Sequence, residues 1–354
     1  MPFCPLQAGL LAGVVVASLC SAPVAVATPP SPVVELPVSF AVKNTNKTSV
    51  SCPNAVDGKD YTVRGVMVGP ADAIARGDAA TLYLHAVTWS SDYFNIDITG
   101  HNFAQAMAER GHVSIAVDRL GYGNSGKPEG LATCFGSEAD VAHQMVDALK
   151  SGHYTLSGAK ASAYKKVFLS GSSVGGLIAN ITAYAFHDVD GVYNQSWGDF
   201  VAGPFAAYLT LDANERCFVG GDAHPGTPGG SRPDYATFAG FSQDMFWYHS
   251  APKEVRDHTP PMREDPCGQI TDLPFAIGAD IAHLGQIDVP VLQTFGDADP
   301  IFPPPAAQAM QLRYTGSPKV TTVMLKDAGH FPILETAFPA MIDAADAWLS
   351  ANGG

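Results

Sequence analysis

Short apolar runs alternate with segments of helical periodicity along most of the chain. Runs rich in Val, Ile, Leu, Tyr and Phe are typical of buried strands, and apolar residues spaced by three and four are typical of amphipathic helices. The pattern predicts strands at 38–42, 61–68, 81–87, 113–118, 165–169, 290–295 and 321–325, and helices at 103–110, 138–149, 176–185 and 337–349. This alternation predicts an α/β fold with a mostly parallel sheet and helices on both faces.

Two parts of the chain do not follow the alternation. Residues 28–60 form an N-terminal extension that is Pro-rich at 28–34 and includes the first predicted strand. Between residues 198 and 287, Pro and Gly are scattered among many aromatic residues, which are Phe200, Phe205, Tyr208, Phe218, Tyr235, Phe238, Phe241, Phe246, Trp247 and Tyr248. The sequence therefore predicts a core made of residues 61–197 and 288–354, with an insertion at residues 198–287.

The N-terminus has the pattern of a secretory signal peptide. Residues 10–19 form a short apolar core, and Ala25-Val26-Ala27 offers a small-residue cleavage site. The Lys or Arg that usually precedes such a core is absent. A retained membrane anchor is the alternative, but the core is short and Pro23, Pro29 and Pro30 follow it closely. We expect residues 1–27 to be removed and the protein to be secreted, extracellular or periplasmic, without stable membrane anchoring.

Charge and cysteine content narrow the classes of function. A net charge of −14 without a basic cluster argues against a nucleic-acid partner. Without the signal peptide the cysteines are Cys52, Cys134, Cys217 and Cys267, and an even number in an exported chain favours disulfides, with free buried cysteines as the alternative. No C-x-x-C spacing occurs, and the 11 histidines show no ligand-like pairing, so neither a metal nor a cofactor is expected.

One glycine-rich stretch imitates a dinucleotide-binding motif. Residues 121–126 match G-x-G-x-x-G and follow a predicted strand. A dinucleotide fold would continue directly into a helix, whose N-terminus holds the pyrophosphate. Lys127-Pro128-Glu129-Gly130 predicts a loop there instead, so nucleotide binding is not expected.

A second glycine-containing motif points to nucleophilic catalysis. Gly171-Ser172-Ser173-Val174-Gly175 matches G-x-S-x-G and lies between a predicted strand and a predicted helix. A tight strand-to-helix turn holds the serine in a strained conformation, and glycines on either side avoid clashes. The pattern indicates that Ser173 is a nucleophile; the alternative is a glycine-rich turn with a capping serine.

From about Tyr61 to the C-terminus the chain resembles the α/β-hydrolase superfamily, in its serine-nucleophile branch with a lid insertion. Residues 84–87, Leu-His-Ala-Val, resemble the HG-x oxyanion loop, with Ala86 where the family usually has glycine. Residues 118–125 resemble the D-x-x-G-x-G-x-S stretch, and the serine motif, residues 296–300 and residues 329–332 follow in the family's order. The resemblance implies the α/β-hydrolase fold, with a mostly parallel central sheet, helices on both faces and an inserted lid at 198–287.

The resemblance also implies roles for individual residues. Ser173 would be the nucleophile, His330 its base and Asp299 the carboxylate that orients the imidazole. Asp297 is the alternative carboxylate and is otherwise typical of a turn. The oxyanion hole would combine the backbone N–H groups of Val87 and Val174. Trp89 and Phe94 follow the oxyanion loop, and either line the substrate pocket or belong to the core.

The implied function is that of a secreted esterase or lipase-like serine hydrolase. It would cleave a small-molecule carboxylic ester through an acyl-enzyme, and the aromatic lid favours a substrate with a sizeable apolar part. The alternative is that these rings pack the lid's own core, which would account for most of them. The alternatives are an amide or carbon–carbon bond hydrolase with the same triad, or a non-catalytic ligand-binding relative, which the intact Ser, Asp and His set disfavours.

The resemblance bears on the disulfides as well. Four cysteines allow three pairings. Cys217 and Cys267 both fall in the lid insertion and could link it, which leaves Cys52 and Cys134. In the family's sheet the second strand lies beside the fourth and antiparallel to it, an order compatible with that second pair.

Overall fold

The structure, a computed structural model, describes residues 31–218, 234–237, 244 and 247–354. Its strands are β1 (Val33–Lys43), β2 (Asp60–Pro70), β3 (Ala79–Leu84), β4 (Ser114–Asp118), β5 (Thr155–Leu156), β6 (Lys166–Ser172), β7 (Val192–Gln195), β8 (Tyr235–Thr237), β9 (Glu264–Pro266), β10 (Val291–Gly296) and β11 (Val320–Leu325). Its α-helices are α1 (Ala71–Arg76), α2 (Phe103–Ala108), α3 (Phe135–Ser151), α4 (Val174–Phe186), α5 (Pro204–Phe218), α6 (Lys253–His258), α7 (Cys267–His283), α8 (Pro305–Gln311) and α9 (Phe338–Asn352).

A single large sheet organises the described residues. Its nine strands lie in the order β11-β10-β7-β6-β3-β4-β2-β1-β5. All neighbours from β11 to β4 run parallel, whereas β2 is antiparallel to both β4 and β1. The predicted α/β class with a mostly parallel sheet is confirmed. Because β6 lies between β7 and β3, the residue that follows β6 sits at the centre of the carboxyl edge, where ligands bind in such sheets.

The elements follow the apolar pattern except where polar side chains are buried. The sequence did not predict β7, because this strand ends in Asn194 and Gln195. The structure buries both: Asn194 Nδ2 donates to the Tyr314 hydroxyl at 3.0 Å, and Gln195 Nε2 donates to Ser170 Oγ at 3.0 Å. Hydrogen bonds to distant residues, rather than hydropathy, permit these polar groups in the core.

Several boundaries differ from the prediction. β3 ends at Leu84, so residues 85–87 lie in the loop beyond the strand instead of inside it. β1 begins at Val33, within the Pro-rich stretch assigned to an extension. At Pro37 strand β1 has a strand partner on one side only, because β2 pairs along its whole length while β5 pairs only with residues 38 and 39. Proline, which has no backbone N–H to donate, is tolerated at such an edge position. The helices α1 and α8 were not predicted; both are short.

The chain leaves the large sheet after β7 and returns to it at β10. Between them lie α5, the two-stranded sheet β8–β9, α6 and α7, and the structure packs α7 against α3, α4 and α5. The predicted signal peptide and the aromatic residues Phe238, Phe241 and Phe246 lie outside the described residues. Among the helices of the described part, none combines the length and the apolar character that crossing a bilayer requires.

Both disulfides have the pairing that the resemblance favoured. Cys52 is joined to Cys134 with a Cα–Cα distance of 5.6 Å, and Cys217 to Cys267 with 5.5 Å. The second bond connects the last turn of α5 to the first turn of α7. It therefore links two helices of the insertion at their ends.

Replacing Cys52 and Cys134 together by serine is expected to lower the free energy of unfolding by about 2–5 kcal/mol, because the unfolded chain regains the freedom of a long loop. The bond spans 82 residues of sequence. Urea unfolding followed by circular dichroism measures the loss. The same experiment on the wild type under reducing conditions is the control, and equal stabilities of oxidised wild type and double variant would contradict the prediction.

Candidate active site

The turn between β6 and α4 has the geometry that the serine motif predicts. Ser173 adopts φ 52° and ψ −124°, a conformation that costs a non-glycine residue on the order of 1–3 kcal/mol. Its N–H donates to the carbonyl oxygen of Gln195 at 2.8 Å. A Cβ on Gly171 would lie 2.0 Å from the carbonyl of Gly175, and one on Gly175 would lie 2.2 Å from the Leu84 carbonyl oxygen. Both glycines are therefore required by close backbone contacts.

Ser173, His330 and Asp299 form a continuous hydrogen-bonded chain. His330 Nε2 is 3.0 Å from Ser173 Oγ, and His330 Nδ1 is 2.9 Å from Asp299 Oδ2. The other carboxylate oxygen of Asp299 accepts the backbone N–H groups of Ile301 at 2.7 Å and Phe302 at 3.1 Å. With the Nδ1 proton directed at the carboxylate, Nε2 is left as the acceptor for the serine hydroxyl.

The second carboxylate that the sequence offered lies elsewhere. Asp297 is exposed in the turn after β10, and its Oδ1 accepts the backbone N–H of Ala328, 31 residues later, at 3.4 Å. Asp299 is 3% exposed, and it is the carboxylate that contacts His330. The structure therefore distinguishes two aspartates that are only two positions apart.

A mostly apolar cavity of about 580 Å³ opens beside Ser173 and His330. Its wall comes mainly from the start of the insertion, from α5, from α7 and from the loop after Asp299. Its residues are Val87, Ser173, Val174, Trp197, Gly198, Asp199, Ala202, Gly203, Pro204, Ala206, Ala207, Leu209, Thr210, Leu211, Leu273, Ile277, Ile301, Phe302 and His330. Apart from Val87, Ser173, Val174 and His330, none of these residues was predicted from the sequence, because the cavity wall depends on how the insertion packs on the core.

Both residues proposed for the oxyanion hole reach this cavity. Val174 is the first residue of α4, so its N–H has no acceptor within the helix. Val87 lies in the loop after β3. The left-handed residue of this loop is Thr88, with φ 66°, rather than Ala86. Alanine is therefore compatible with the position where the family usually has glycine.

Trp89 and Phe94 do not line the cavity. Trp89 is 1% and Phe94 0% exposed. Trp89 stacks on Trp247 with a centroid distance of 4.2 Å and meets Tyr93 edge to face at 5.1 Å. Of the two alternatives stated for these residues, the structure matches core packing.

The insertion is hydrogen-bonded to the loop that carries His330. The backbone N–H of His249 donates to Glu335 Oε1 at 2.7 Å, and the N–H of Ser250 donates to the other oxygen of the same carboxylate. Burial raises the pKa of Glu335. Trp247, two residues before His249, also packs on Phe331. The insertion is thus fixed at its middle to the segment 330–335.

Comparison with known proteins identifies the family. A family model described as "Alpha/beta hydrolase family" matches residues 58–344, which is most of the chain. This chain belongs to the alpha/beta hydrolase family. The α/β-hydrolase fold expected from the motifs is confirmed. Among curated proteins no match was found.

Several solved structures share the fold. A thermophilic esterase from Thermogutta terrifontis is 18% identical, with a TM-score of 0.60 over 89% of this chain and 100% of its own. A monoacylglycerol lipase from Paleococcus ferrophilus is 18% identical, with a TM-score of 0.55 over 77% of this chain and 94% of its own. The metagenome-derived lipolytic enzymes LipS and LipT are represented by a chain 16% identical, with a TM-score of 0.55 over 78% of this chain and 95% of its own.

Proposed function

We propose that the chain is a secreted serine hydrolase that cleaves carboxylic esters through an acyl-enzyme. The observation that carries this proposal is the chain of hydrogen bonds from Asp299 through His330 to Ser173, which ends at the apolar cavity. Each link has the length of a normal hydrogen bond, so little rearrangement is needed before reaction. Two disulfides support an oxidising compartment and therefore secretion.

The geometry supports a two-step mechanism. Ser173 Oγ attacks the ester carbonyl while His330 Nε2 takes the hydroxyl proton, and Asp299 stabilises the imidazolium that forms. The negative charge on the carbonyl oxygen is bound by the N–H groups of Val87 and Val174. His330 returns the proton to the leaving alcohol. His330 then deprotonates a water that attacks the acyl carbonyl, and the bond to Ser173 Oγ breaks as His330 returns the proton to that oxygen, which releases the acid and restores the serine.

The cavity supports a substrate with a sizeable apolar part. Its wall includes Trp197, Leu209, Ile277 and Phe302, and such a surface favours alkyl or aryl groups over charged ones. We propose that residues 198–287 serve as a lid, since α5 and α7 supply much of this wall. The structural relatives include an esterase, a monoacylglycerol lipase and lipolytic enzymes, which favours ester cleavage over amide or carbon–carbon cleavage.

The proposal is tested by measuring the rate at which the wild type hydrolyses p-nitrophenyl acetate, butyrate and octanoate. The p-nitroanilides of the same three acids are measured for comparison. Each apolar CH₂ buried in the cavity contributes about 0.8 kcal/mol, so the extra CH₂ groups of octanoate contribute up to about 5 kcal/mol, and kcat/KM is expected to rise at least about 100-fold from acetate to octanoate. Faster cleavage of anilides than of esters would favour the amide hydrolase. A folded protein that binds these compounds without turnover would favour the ligand-binding relative.

Filling the cavity is expected to remove the preference for long acyl chains. Ala206 lies in α5 on the cavity wall, and Ala206→Phe places a ring in the space that a long chain would occupy. We expect kcat/KM for octanoate to fall about 100-fold, since several buried CH₂ groups lose their contacts, while acetate turnover changes little. Glu215→Phe, at an exposed position of the same helix, is the control. An equal loss for acetate and octanoate would contradict the proposed acyl site.

A further inference from the structure

The residue after Val87 is held by the insertion through both of its backbone polar groups. The N–H of Thr88 donates to Asp265 Oδ1 at 2.9 Å, and its carbonyl oxygen accepts the N–H of Arg263 at 2.8 Å. Thr88 is buried and has φ 66°, which is unfavourable for a β-branched residue. Such a conformation persists only where the surroundings enforce it. Here the enforcing contacts come from residues 263–265.

Asp265 is itself held in one orientation. It is 0% exposed, and the hydroxyl of Tyr122 donates at 2.8 Å to the same oxygen that accepts the Thr88 N–H. Burial keeps this hydroxyl protonated by raising the pKa of Tyr122 well above its usual value. The Tyr122 ring in turn packs edge to face on His85 with a centroid distance of 4.7 Å. The carboxylate is therefore a fixed acceptor at the back of the oxyanion loop.

The other end of the loop is held by Arg119. Its backbone N–H donates to His85 Nε2 at 3.0 Å, and its Nε donates to the His85 carbonyl oxygen at 3.0 Å. Burial and the neighbouring Arg119 lower the pKa of His85, so the ring is neutral and its Nε2 can accept. Arg119 Nη1 donates to Gln269 Oε1 at 2.8 Å, and Gln269 lies in α7 of the insertion. His85 and Thr88 are thus fixed on either side of Val87.

We propose that Asp265 is a positioning residue, which aims the backbone N–H of Val87 at the oxyanion by fixing Thr88. The inference rests on the proposed function. A donor that points away from the developing charge contributes little to catalysis, and the loss of one donor costs about 100- to 1,000-fold in kcat. On this account the insertion completes the active site in addition to covering it. Cys267, two residues beyond Asp265, links the same support to α5 and the cavity wall.

Asp265→Ala tests the proposal. We expect kcat to fall about 30- to 300-fold with KM within about twofold, because the affected interaction forms only in the transition state. Asp265→Asn keeps an acceptor oxygen for Thr88 and should retain kcat within about fivefold of the wild type. An Asp265→Ala variant with wild-type kcat would overturn the proposal, as would an Asp265→Asn variant that is as impaired as the alanine variant.

Asp272→Ala is the matched control for a purely structural effect. Asp272 is also buried in the insertion and also accepts a backbone N–H, that of Phe135 at 2.8 Å, but this amide begins α3 and not the oxyanion loop. We expect a loss of thermal stability comparable to that of Asp265→Ala, with kcat within about twofold of the wild type. If both alanine variants lose kcat to the same extent, Asp265 acts only through stability and the proposal is overturned.

Tyr122→Phe provides a second test that does not depend on the folding of Asp265→Ala. It removes only the hydroxyl that orients Asp265 and keeps the ring against His85. We expect kcat to fall about three- to tenfold at unchanged KM, and an unchanged kcat would count against the proposal.

Fluorophosphonate labelling of Ser173 distinguishes failure of the proposed function from failure of the inference about Asp265. An unlabelled, inactive wild type overturns the proposed function together with this inference, whereas an active wild type with an unaffected Asp265→Ala overturns the inference alone.

Discussion

Ser173→Ala is expected to lower kcat for p-nitrophenyl butyrate by about a million-fold, as removal of a triad serine does elsewhere. The reason is that His330 and Asp299 have no nucleophile to activate once Ser173 Oγ is gone, so the covalent step disappears. Substrate affinity should be kept, since the apolar wall of the cavity is unchanged. Steady-state kinetics on protein purified free of wild-type enzyme measures the effect.

The neighbouring serine provides the control. Ser172 is fully buried, and its hydroxyl donates to the hydroxyl of Tyr93 at 3.0 Å instead of contacting His330. Ser172→Ala is expected to lower stability by about 1 kcal/mol and to leave kcat within a few-fold of the wild type. If the two alanine variants lost activity equally, the nucleophile would not be assigned to Ser173.

Asp299→Asn is expected to lower kcat by about 10,000-fold with little change in KM. An asparagine can present its NH₂ group to His330 Nδ1, which places the imidazole proton on Nε2 and removes the acceptor that Ser173 needs. The fold should be retained, because the carbonyl oxygen of the amide can still accept from Ile301 and Phe302. Kinetics and circular dichroism together measure the two expectations.

Asp297→Asn is the matched control for this substitution. The two aspartates lie in the same turn, but Asp297 is exposed and contacts the Ala328 backbone rather than His330. Its replacement should change kcat by less than about twofold. A large loss in Asp297→Asn together with an active Asp299→Asn would exchange the two assignments and contradict the proposed triad.

The parts of the site that could be predicted are those with strong local constraints. The turn at Ser173 needs Gly171 and Gly175 because backbone atoms approach within contact distance, so it leaves a recognisable motif. His330 and Asp299 follow strand ends at the carboxyl edge of the sheet, β11 and β10 respectively, and the family pattern locates them. The fold itself followed from apolar runs, since parallel strands are buried on both faces.

The parts that could not be predicted depend on contacts between residues far apart in sequence. Trp89 follows the oxyanion loop, yet it packs on Trp247 of the insertion and is not part of the cavity wall. Asp265 carries no motif, and its hydrogen bond to Thr88 exists only because the insertion returns to that loop. The sequence of α5, which lines part of the cavity, has no distinct helical spacing of apolar residues. Nonlocal packing of this kind leaves no local pattern in one sequence.

Reaction with a fluorophosphonate probe tests the central claim most directly. The probe phosphonylates only a serine that has been activated, and mass spectrometry of the digested protein locates the adduct. We predict a single adduct on the peptide that contains Ser173, lost in Ser173→Ala and kept in Ser172→Ala. A wild-type protein that is folded by circular dichroism and remains unlabelled, or is labelled at another residue, would contradict the account.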